Sequence, residues 1–548
     1  MKRKLKFNQI ESISSITEYF YEVSKCYTDE IAVNQEKMDT LVSYQQLYED
    51  SLYVAGELKE RNFKNEKIVI SGDFSYQWIV SFFGILLSHN VVVPINPGLI
   101  NEETEKLYKF VDAVTMIQLA SIHRKKEATL SPDIDVLSES KLIEIVKRKK
   151  NGIRYEKAIP DELAMLLFTS GTTGEPKCVM LSHKNIICDM KGAMLTANLG
   201  EDMYFSNVVP VLPPFHMFQI TAGFLGSMFF GVTYCIHAKA TPIECFKMYK
   251  PRCLFAVPVI LESTYKRIMG SKRKRYGVTM LLYLNKIAHF FQIDIRFILF
   301  HNIYKIFGNK MKYVIIGGAT CDTKVVRFFN EIGITVLVGY GTTECSPIIS
   351  CNTVGKVKYG SSGLKLPKQY VSIRIIENEI CVLGDIVMKG YYKNRDATSR
   401  VLKNGWYYTG DLGFIDKEGY LYITGRKDNL ITLSDGNSIL PEEIENSLKE
   451  FEQVSEVIVY HYKKENNDRL GALIYPDENY YGDISMEMKE ENIKEIIRKY
   501  NKSCLNHLYI GHIEVLDKPF QKNLLGKENR CKYTVKEEID GESQKGKG

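Results

Sequence analysis

Short apolar runs alternate with longer helical stretches from about residue 30 to residue 345. This alternation predicts an α/β body built on largely parallel sheets. One unit reads in full. The run KYVIIGG, Lys312–Gly318, predicts a buried strand, Asp322 is placed to cap the helix TKVVRFFNEIG, and ITVLVGYG, Ile334–Gly341, predicts the next strand of a βαβ unit. Both strands end in glycines. Ligands of open parallel sheets gather beyond the carboxyl ends of strands, so Gly317, Gly318, Tyr340 and Gly341 are expected to line a site.

After about residue 360 the pattern changes to short strands with turn signals, as in VSIRIIENEICVLGD and WYYTGDLGFIDKEGYLYITG, which predicts a β-rich subdomain over about 360–427. From Asp428 onward LPEEIENSLKE, VSEVIVYHY, RLGALIYPD and ENIKEIIRKYN alternate helix and strand. They predict a separate α+β domain over 428–536, with Pro441 in a helix first turn. The body is then 1–427, and the polar tail 537–548 reads as disordered. Two long uncharged stretches, Trp78–Ile100 and Ile220–Ala238, approach membrane-spanning length. Ser88, His89 and Asn90 break the first, and Gly223, Gly226 and Gly231 break the second, so each is expected to be a buried helix turning into a buried strand.

Composition narrows the classes. With 548 residues, 25% charged and 45% hydrophobic, the chain reads as several globular units rather than a disordered, collagen-like or membrane-integral protein. A net charge of +6 is too thin over this length to make nucleic acid or membrane the main partner. The basic opening MKRKLKFNQIESISS lacks the apolar core of a signal peptide. Twelve cysteines scattered from Cys26 to Cys531, with no CxxC pair, fit a reduced cytoplasmic compartment better than a disulfide framework.

Three stretches carry candidate chemistry. In LLFTSGTTGEPKCVMLSH, Leu166–His183, apolar runs flank nine residues with two glycines, four hydroxyl side chains and Lys177. Freed backbone amides, hydroxyl donors and an ammonium make a cradle for a polyphosphate, although the Walker A spacing is absent; a small-residue hairpin loop is the structural alternative. GYGTTECSP, Gly339–Pro347, offers an aromatic ring for a base, hydroxyls for phosphate and the Glu344 carboxylate for magnesium, against the alternative of a plain strand-to-loop turn. In YYTGDLG, Tyr407–Gly413, followed by GRKDN, Gly425–Asn429, Asp411 and Arg426 could bind a ribose diol; taken alone, an aspartate in this setting is more often a turn residue.

TSGTTGEPK, GYGTTE, YTGD and GRKD, in that order and at these separations, resemble the acyl-adenylate-forming (AMP-binding) superfamily over roughly residues 15 to 535. GYGTTECSP, VMKGYYKN, GWYYTGDLG, GYLYITGRKDNLI and LPEEIE look most like bacterial long-chain fatty-acid CoA ligases. The resemblance implies that Thr169, Ser170, Gly171, Thr172, Thr173, Gly174 and Lys177 hold the ATP phosphates, and that Gly318, Ala319, Tyr340, Gly341 and Thr342 surround the nucleotide. It further implies that Thr343 touches the α-phosphate, that Glu344 and Thr172 hold Mg2+, and that Asp411 and Arg426 bind ribose. His216, in LPPFHMF, matches an aromatic-rich family motif near the acyl carboxylate. KPFQKNLLGKENR resembles the segment carrying the family's catalytic lysine, which puts that role on Lys527. Gln521, Asn523 and Glu528 depart from the family pattern there. The same resemblance implies a C-terminal cap that swings about Asp428 between two half-reactions.

The segment FQITAGFLGSMFFG is apolar and lacks the aspartate that amino-acid-activating relatives keep nearby, which favours an unsubstituted hydrophobic acid. The insertion Ser271–Asn302 resembles a helical insertion of the long-chain enzymes, and Lys272 to Arg275 beside it suit a peripheral contact with an anionic membrane; a solvated charge run is the alternative. The expectation is an ATP- and magnesium-dependent ligase that passes a medium- or long-chain fatty acid to coenzyme A. An acyl carrier protein is the alternative acceptor, and a non-catalytic nucleotide-binding module the alternative of another class.

Overall fold

The computed structural model describes residues 2–36, 41–124, 130–149, 152–169, 177–237, 240–270, 272–433, 438–464, 467–482, 484–521, 530 and 533. Two mixed sheets form the body. In the seven-stranded sheet, Lys67–Ser71 lies between Val91–Ile95 and Ala113–Gln118 with all neighbours parallel, and the antiparallel pair Leu163–Thr169 and Lys177–Ser182 extends one side. The nine-stranded sheet has a parallel centre through Cys253–Ala256, Tyr313–Ile316 and Thr335–Gly341, and turns antiparallel at Ile348–Cys351. The βαβ unit is where the hydrophobic pattern places it, with Asp322 accepting the Lys324 amide at 2.7 Å to start the helix Thr323–Glu331.

Both long apolar stretches are core. Trp78–Ile100 supplies most of the helix Tyr76–Leu87, capped by Ser75 and buried from Trp78 on, then the buried strand Val91–Ile95. Residues 220–238 differ from a simple helix followed by a strand. Their first part is a wide π-helix, Gln219–Gly226, and the strand Thr233–Ile236 follows. Glycines at 223 and 226 let that backbone open, and Ser227 accommodates it by donating to Gly223 O at 2.7 Å. The helices Ile16–Cys26, Tyr44–Glu60, Tyr76–Leu87 and His183–Ala197 fill one continuous core with the π-helix and strands of both sheets. Among the described residues, no helix is long and apolar enough to cross a membrane.

The β-rich segment forms an antiparallel sheet over Val371–Ile376, Glu379–Gly384, Leu402–Lys403, Trp406–Ile415 and Leu421–Arg426. One piece of it leaves that sheet. Gly390–Tyr391 pairs with Met180 and Val179, and so becomes the edge strand of the seven-stranded sheet. Beyond Asp428, a three-stranded sheet of Val454–Lys464, Asn467–Pro476 and Ile510–Val515 packs with the helices Pro441–Leu448 and Met486–Ser503 around its own apolar cluster. Residues 537–548, expected to be disordered, lie outside the described residues. Among the described residues, Lys266 pairs with Asp477 at 3.1 Å and Arg275 with Glu452 at 2.7 Å, tying this cap to the body.

Candidate active site

Two hairpins and one parallel strand converge on the site. Tyr340 ends the strand Thr335–Gly341, and its hydroxyl donates to Asp411 Oδ2 at 2.7 Å. Asp411 lies within the strand Trp406–Ile415, opposite Arg426 on the neighbouring strand, and Arg426 Nε reaches Asp411 Oδ1 at 3.2 Å. Asp411 is therefore a strand residue rather than a turn residue, and both of its oxygens already have donors. Burial and the adjacent Asp411 push the Tyr340 phenol well above its ordinary range, so it stays a neutral donor. At Arg426 burial opposes the charge, but Asp411 and Asp428 outweigh it and hold the guanidinium above its usual value.

The strand segment that positions Asp411 is fixed from its neighbour strand. Glu379, buried at 6% exposure, accepts the Gly410 amide at 3.0 Å and pairs with Lys427 at 2.9 Å. Gly410 has φ +73, a conformation glycine adopts without the Cβ penalty. Lys427 directly precedes Asp428, and on the other side Asn429 donates to Glu442. The residues flanking the expected hinge are thus held, one to the body and one to the cap.

Glu344 sits in the short helical turn Thr343–Cys345, and its Oε1 accepts the Tyr391 hydroxyl at 2.9 Å. Burial and Glu344 both push the Tyr391 phenol upward, so this tyrosine also remains a donor. The Lys177 ammonium lies 5.3 Å from the centre of the Tyr391 ring. Tyr391 therefore links the expected metal carboxylate to the expected phosphate lysine. No motif reading assigned it a role, although it stands in VMKGYYKN. Among the described residues no group of three or more His, Cys, Asp or Glu side chains forms a metal cage. A single hard carboxylate such as Glu344 fits Mg2+ that is held mainly by water and substrate phosphates.

One cavity runs from the turn at Tyr340–Thr343 into an apolar pocket. Gly317, Gly318, Tyr340, Gly341, Thr342 and Thr343 form one wall, and His216 lies beside them. Gly341 has no room for a side chain: a Cβ there would lie 1.7 Å from Pro347 O. Beyond His216 the walls are apolar. Met190, Ala193, Met194 and Ala197 contribute one face of the helix His183–Ala197, and Met203, Leu212, Phe230 and Phe255 are among the other lining residues. Sequence reasoning did not single out this helical face; its spacing of i, i+3, i+4 and i+7 was the available signal.

The other expected site residues fall as follows. Thr169 and Lys177 are paired across the hairpin that opens the phosphate loop, whereas Ser170, Gly171, Thr172, Thr173 and Gly174 lie outside the described residues. Gly318 adopts φ +87 and lines the cavity; Ala319 lies in the turn after it and is not among the cavity-lining residues. Lys527 lies outside the described residues. Nearby Arg530 is anchored to Glu445 and to Val459 O within the cap.

A glycine-lined turn at the carboxyl ends of parallel strands, continuing into an apolar pocket, is an arrangement that can take a nucleotide. The chain belongs to the AMP-binding enzyme family: the family's main domain matches residues 20–392 and its C-terminal domain residues 428–532. It is an acyl-adenylate-forming ligase that resembles fatty-acid CoA ligases. A long-chain-fatty-acid–CoA ligase of Bacillus subtilis is 27% identical over 76% of this chain and 78% of its own length. A chloroplastic long-chain-fatty-acid–[acyl-carrier-protein] ligase of Arabidopsis thaliana is 25% identical over 87% of this chain and 78% of its own. Among solved structures, an o-succinylbenzoate coenzyme A synthetase from Bacillus subtilis, in complex with ATP and magnesium ion, superposes with a TM-score of 0.73 at 21% identity, covering 94% of this chain and 98% of that one.

Proposed function

We propose that this protein activates a medium- or long-chain fatty acid with ATP and transfers the acyl group to coenzyme A in a cytoplasmic setting, any contact with a membrane being peripheral. The observation that carries this reading is the single cavity in which the glycine-lined wall at Tyr340–Thr343 continues into a pocket of methionine, alanine and phenylalanine. Unbranched thioethers adapt to a flexible chain, and no charged side chain lines the apolar part. In the first half-reaction a carboxylate oxygen attacks the α-phosphorus and pyrophosphate leaves. In the second the CoA thiolate attacks the acyl carbon and AMP leaves. Two anions meet in the first step, so cationic groups must surround the phosphoryl oxygens. Lys177 and Lys527 are the side chains given that work, with Asp411 and Arg426 on the ribose. Magnesium would be held by Glu344 and Thr172 and would neutralise charge on the phosphates. His216 lines the same cavity as Tyr340–Thr343, which suits it to orient the acyl carboxylate.

The test is pyrophosphate release by the purified chain across a series of saturated acids, with CoA or a holo acyl carrier protein as acceptor. Turnover that rises with chain length and yields acyl-CoA supports the proposal. Turnover with carrier protein alone moves the acceptor to the second class of thiol, which the Arabidopsis relative makes a concrete alternative. ATP binding without acid-dependent turnover would leave a binding module.

A further inference from the structure

The helix His183–Ala197, which walls the apolar pocket, also reaches the nucleotide side of the cavity. Its Asp189 points to the hairpin of the strands Thr335–Gly341 and Ile348–Cys351, where the Ile348 amide donates to Asp189 Oδ1 at 2.9 Å. Ile348 is paired with Gly341, so this bond grips the base of the loop 342–347, which carries Thr343 and Glu344. Asp189 is fully buried, and its Oδ2 has no hydrogen-bond partner among the described residues. A buried acid that is only half satisfied weakens a core, so its presence calls for a reason outside packing. Burial pushes the Asp189 carboxyl well above its ordinary range, and the thiols of Cys188, Cys345 and Cys351 lie near it. An uncharged carboxyl still accepts through Oδ1, as an amide of the same shape would.

A second bond makes the same connection from another wall of the cavity. Thr221, on the π-helix Gln219–Gly226, lines the cavity and donates to Ser346 O at 2.9 Å. Ser346 is buried at φ +72, a conformation that a residue with a side chain keeps only where its neighbours hold it. Its hydroxyl donates to Ile386 O at 2.8 Å, and the Met388 amide donates to Glu344 O at 2.8 Å. The β-rich segment thus holds the loop from behind, while Asp189 and Thr221 tie it to the elements that enclose the acyl pocket. Met190, beside Asp189, and Ile348 both line that cavity. An acyl chain packed against them restrains the helix and the loop base together, so the order it imposes reaches Thr343 and Glu344 before the nucleotide must supply it.

We infer that Asp189 is a positioning residue that couples filling of the apolar pocket to the hold of the 342–347 loop on MgATP. The inference rests on the functional reading above, which puts the nucleotide at that loop and the acyl chain in that pocket. It is tested by calorimetric titration of the full-length protein, in magnesium, with an ATP analogue whose α- and β-phosphates are joined by a methylene group. Each titration is run with and without the saturated acid that wild type turns over fastest. Wild type should bind the analogue roughly fivefold or more tightly with the acid present. Asp189→Leu, similar in size, should bring that ratio to about one, whereas Asp189→Asn should keep it because its amide oxygen still accepts. A merely structural role would weaken binding equally with and without acid and leave the ratio unchanged. Thr221→Val cuts the second tie without altering the helix and should lower the ratio as well, which keeps the test open if Asp189→Leu does not fold. The proposal is overturned if a folded Asp189→Leu or Thr221→Val variant keeps the wild-type ratio, or if wild type itself shows none. Pyrophosphate release by the same wild-type preparation separates two failures. If no acid stimulates it, the functional reading falls and this inference with it; if an acid does so beside a ratio of about one, only the coupling through Asp189 falls.

Discussion

Tyr391 shows how a residue's role depends on neighbours far away in sequence. Its hydroxyl holds Glu344, 47 residues earlier, and its ring lies under the Lys177 ammonium. Tyr391→Phe keeps the ring and removes the hydrogen bond, so Glu344 loses its orientation while Lys177 keeps its platform. The expected result is a KM for MgATP raised on the order of tenfold, consistent with a lost hydrogen bond to a charged group at roughly 1.5–3 kcal/mol, with melting temperature little changed. Nucleotide binding measured calorimetrically over a range of magnesium concentrations separates this from a general loss of fold. At Lys527 the expectation is different: Lys527→Ala should lower acid-dependent pyrophosphate release on the order of a hundredfold or more while thiolysis of preformed acyl adenylate survives. A variant that releases pyrophosphate at the wild-type rate would remove the lysine from the adenylation step. The residues legible in sequence were those carried by contiguous motifs, such as Tyr340, Glu344, Asp411 and Arg426. The sequence motif did not show that Asp411 is already engaged by both Tyr340 and Arg426: the first contact joins two sheets and the second two paired strands of one.

At the scale of elements, a helical face and a glycine turn each set a measurable property. Ala193 and Ala197 lie on the cavity face of the helix His183–Ala197, so Ala197→Phe puts a ring into the apolar pocket. The longest accepted acids should lose kcat/KM by roughly tenfold or more while short acids keep theirs, the pattern of a pocket made shallower. A uniform loss across all chain lengths would show instead that the helix had been displaced. Gly341→Ala should weaken ATP binding without selectivity for the acid, because the new methyl group meets Pro347 O and the turn must move. Element types were largely readable from periodicity, as in the βαβ unit around Tyr313–Gly341. The π-helix at Gln219–Gly226 was not, because a single widened turn leaves the apolar pattern of an ordinary buried helix almost unchanged. Its place against the cavity, with Thr221 donating to Ser346 O at 2.9 Å, depends on residues more than a hundred positions away.

For the whole molecule, pH and topology matter most. His183 begins a core helix, and burial, with a smaller effect from His89, lowers its pKa to about 3. The folded protein therefore keeps it neutral while the unfolded chain binds a proton below about 6.5. Between those values the unfolded state holds more protons, so stability falls as pH falls, by up to about 1.4 kcal/mol per pH unit from this residue. Buried Asp189, whose carboxyl is pushed upward by burial, acts in the opposite direction, so the difference between proteins is the informative measurement. Melting temperatures of wild type and His183→Gln, followed from pH 7 down to pH 4, should show the shallower decline in the variant, whatever offset its packing introduces. Equal slopes would mean that His183 is not held neutral by the fold.

The strand Gly390–Tyr391 has a further consequence for how the chain can be divided. It belongs in sequence to the β-rich segment, yet it covers the outer backbone of Lys177–Ser182 in the other sheet. A fragment ending before it would present a row of uncovered amides and carbonyls beside an apolar strand, which is a template for joining other chains. The β-rich segment thus behaves as a clasp rather than an appendage, and fragments cut between the two sheets are expected to precipitate where the intact chain stays dispersed.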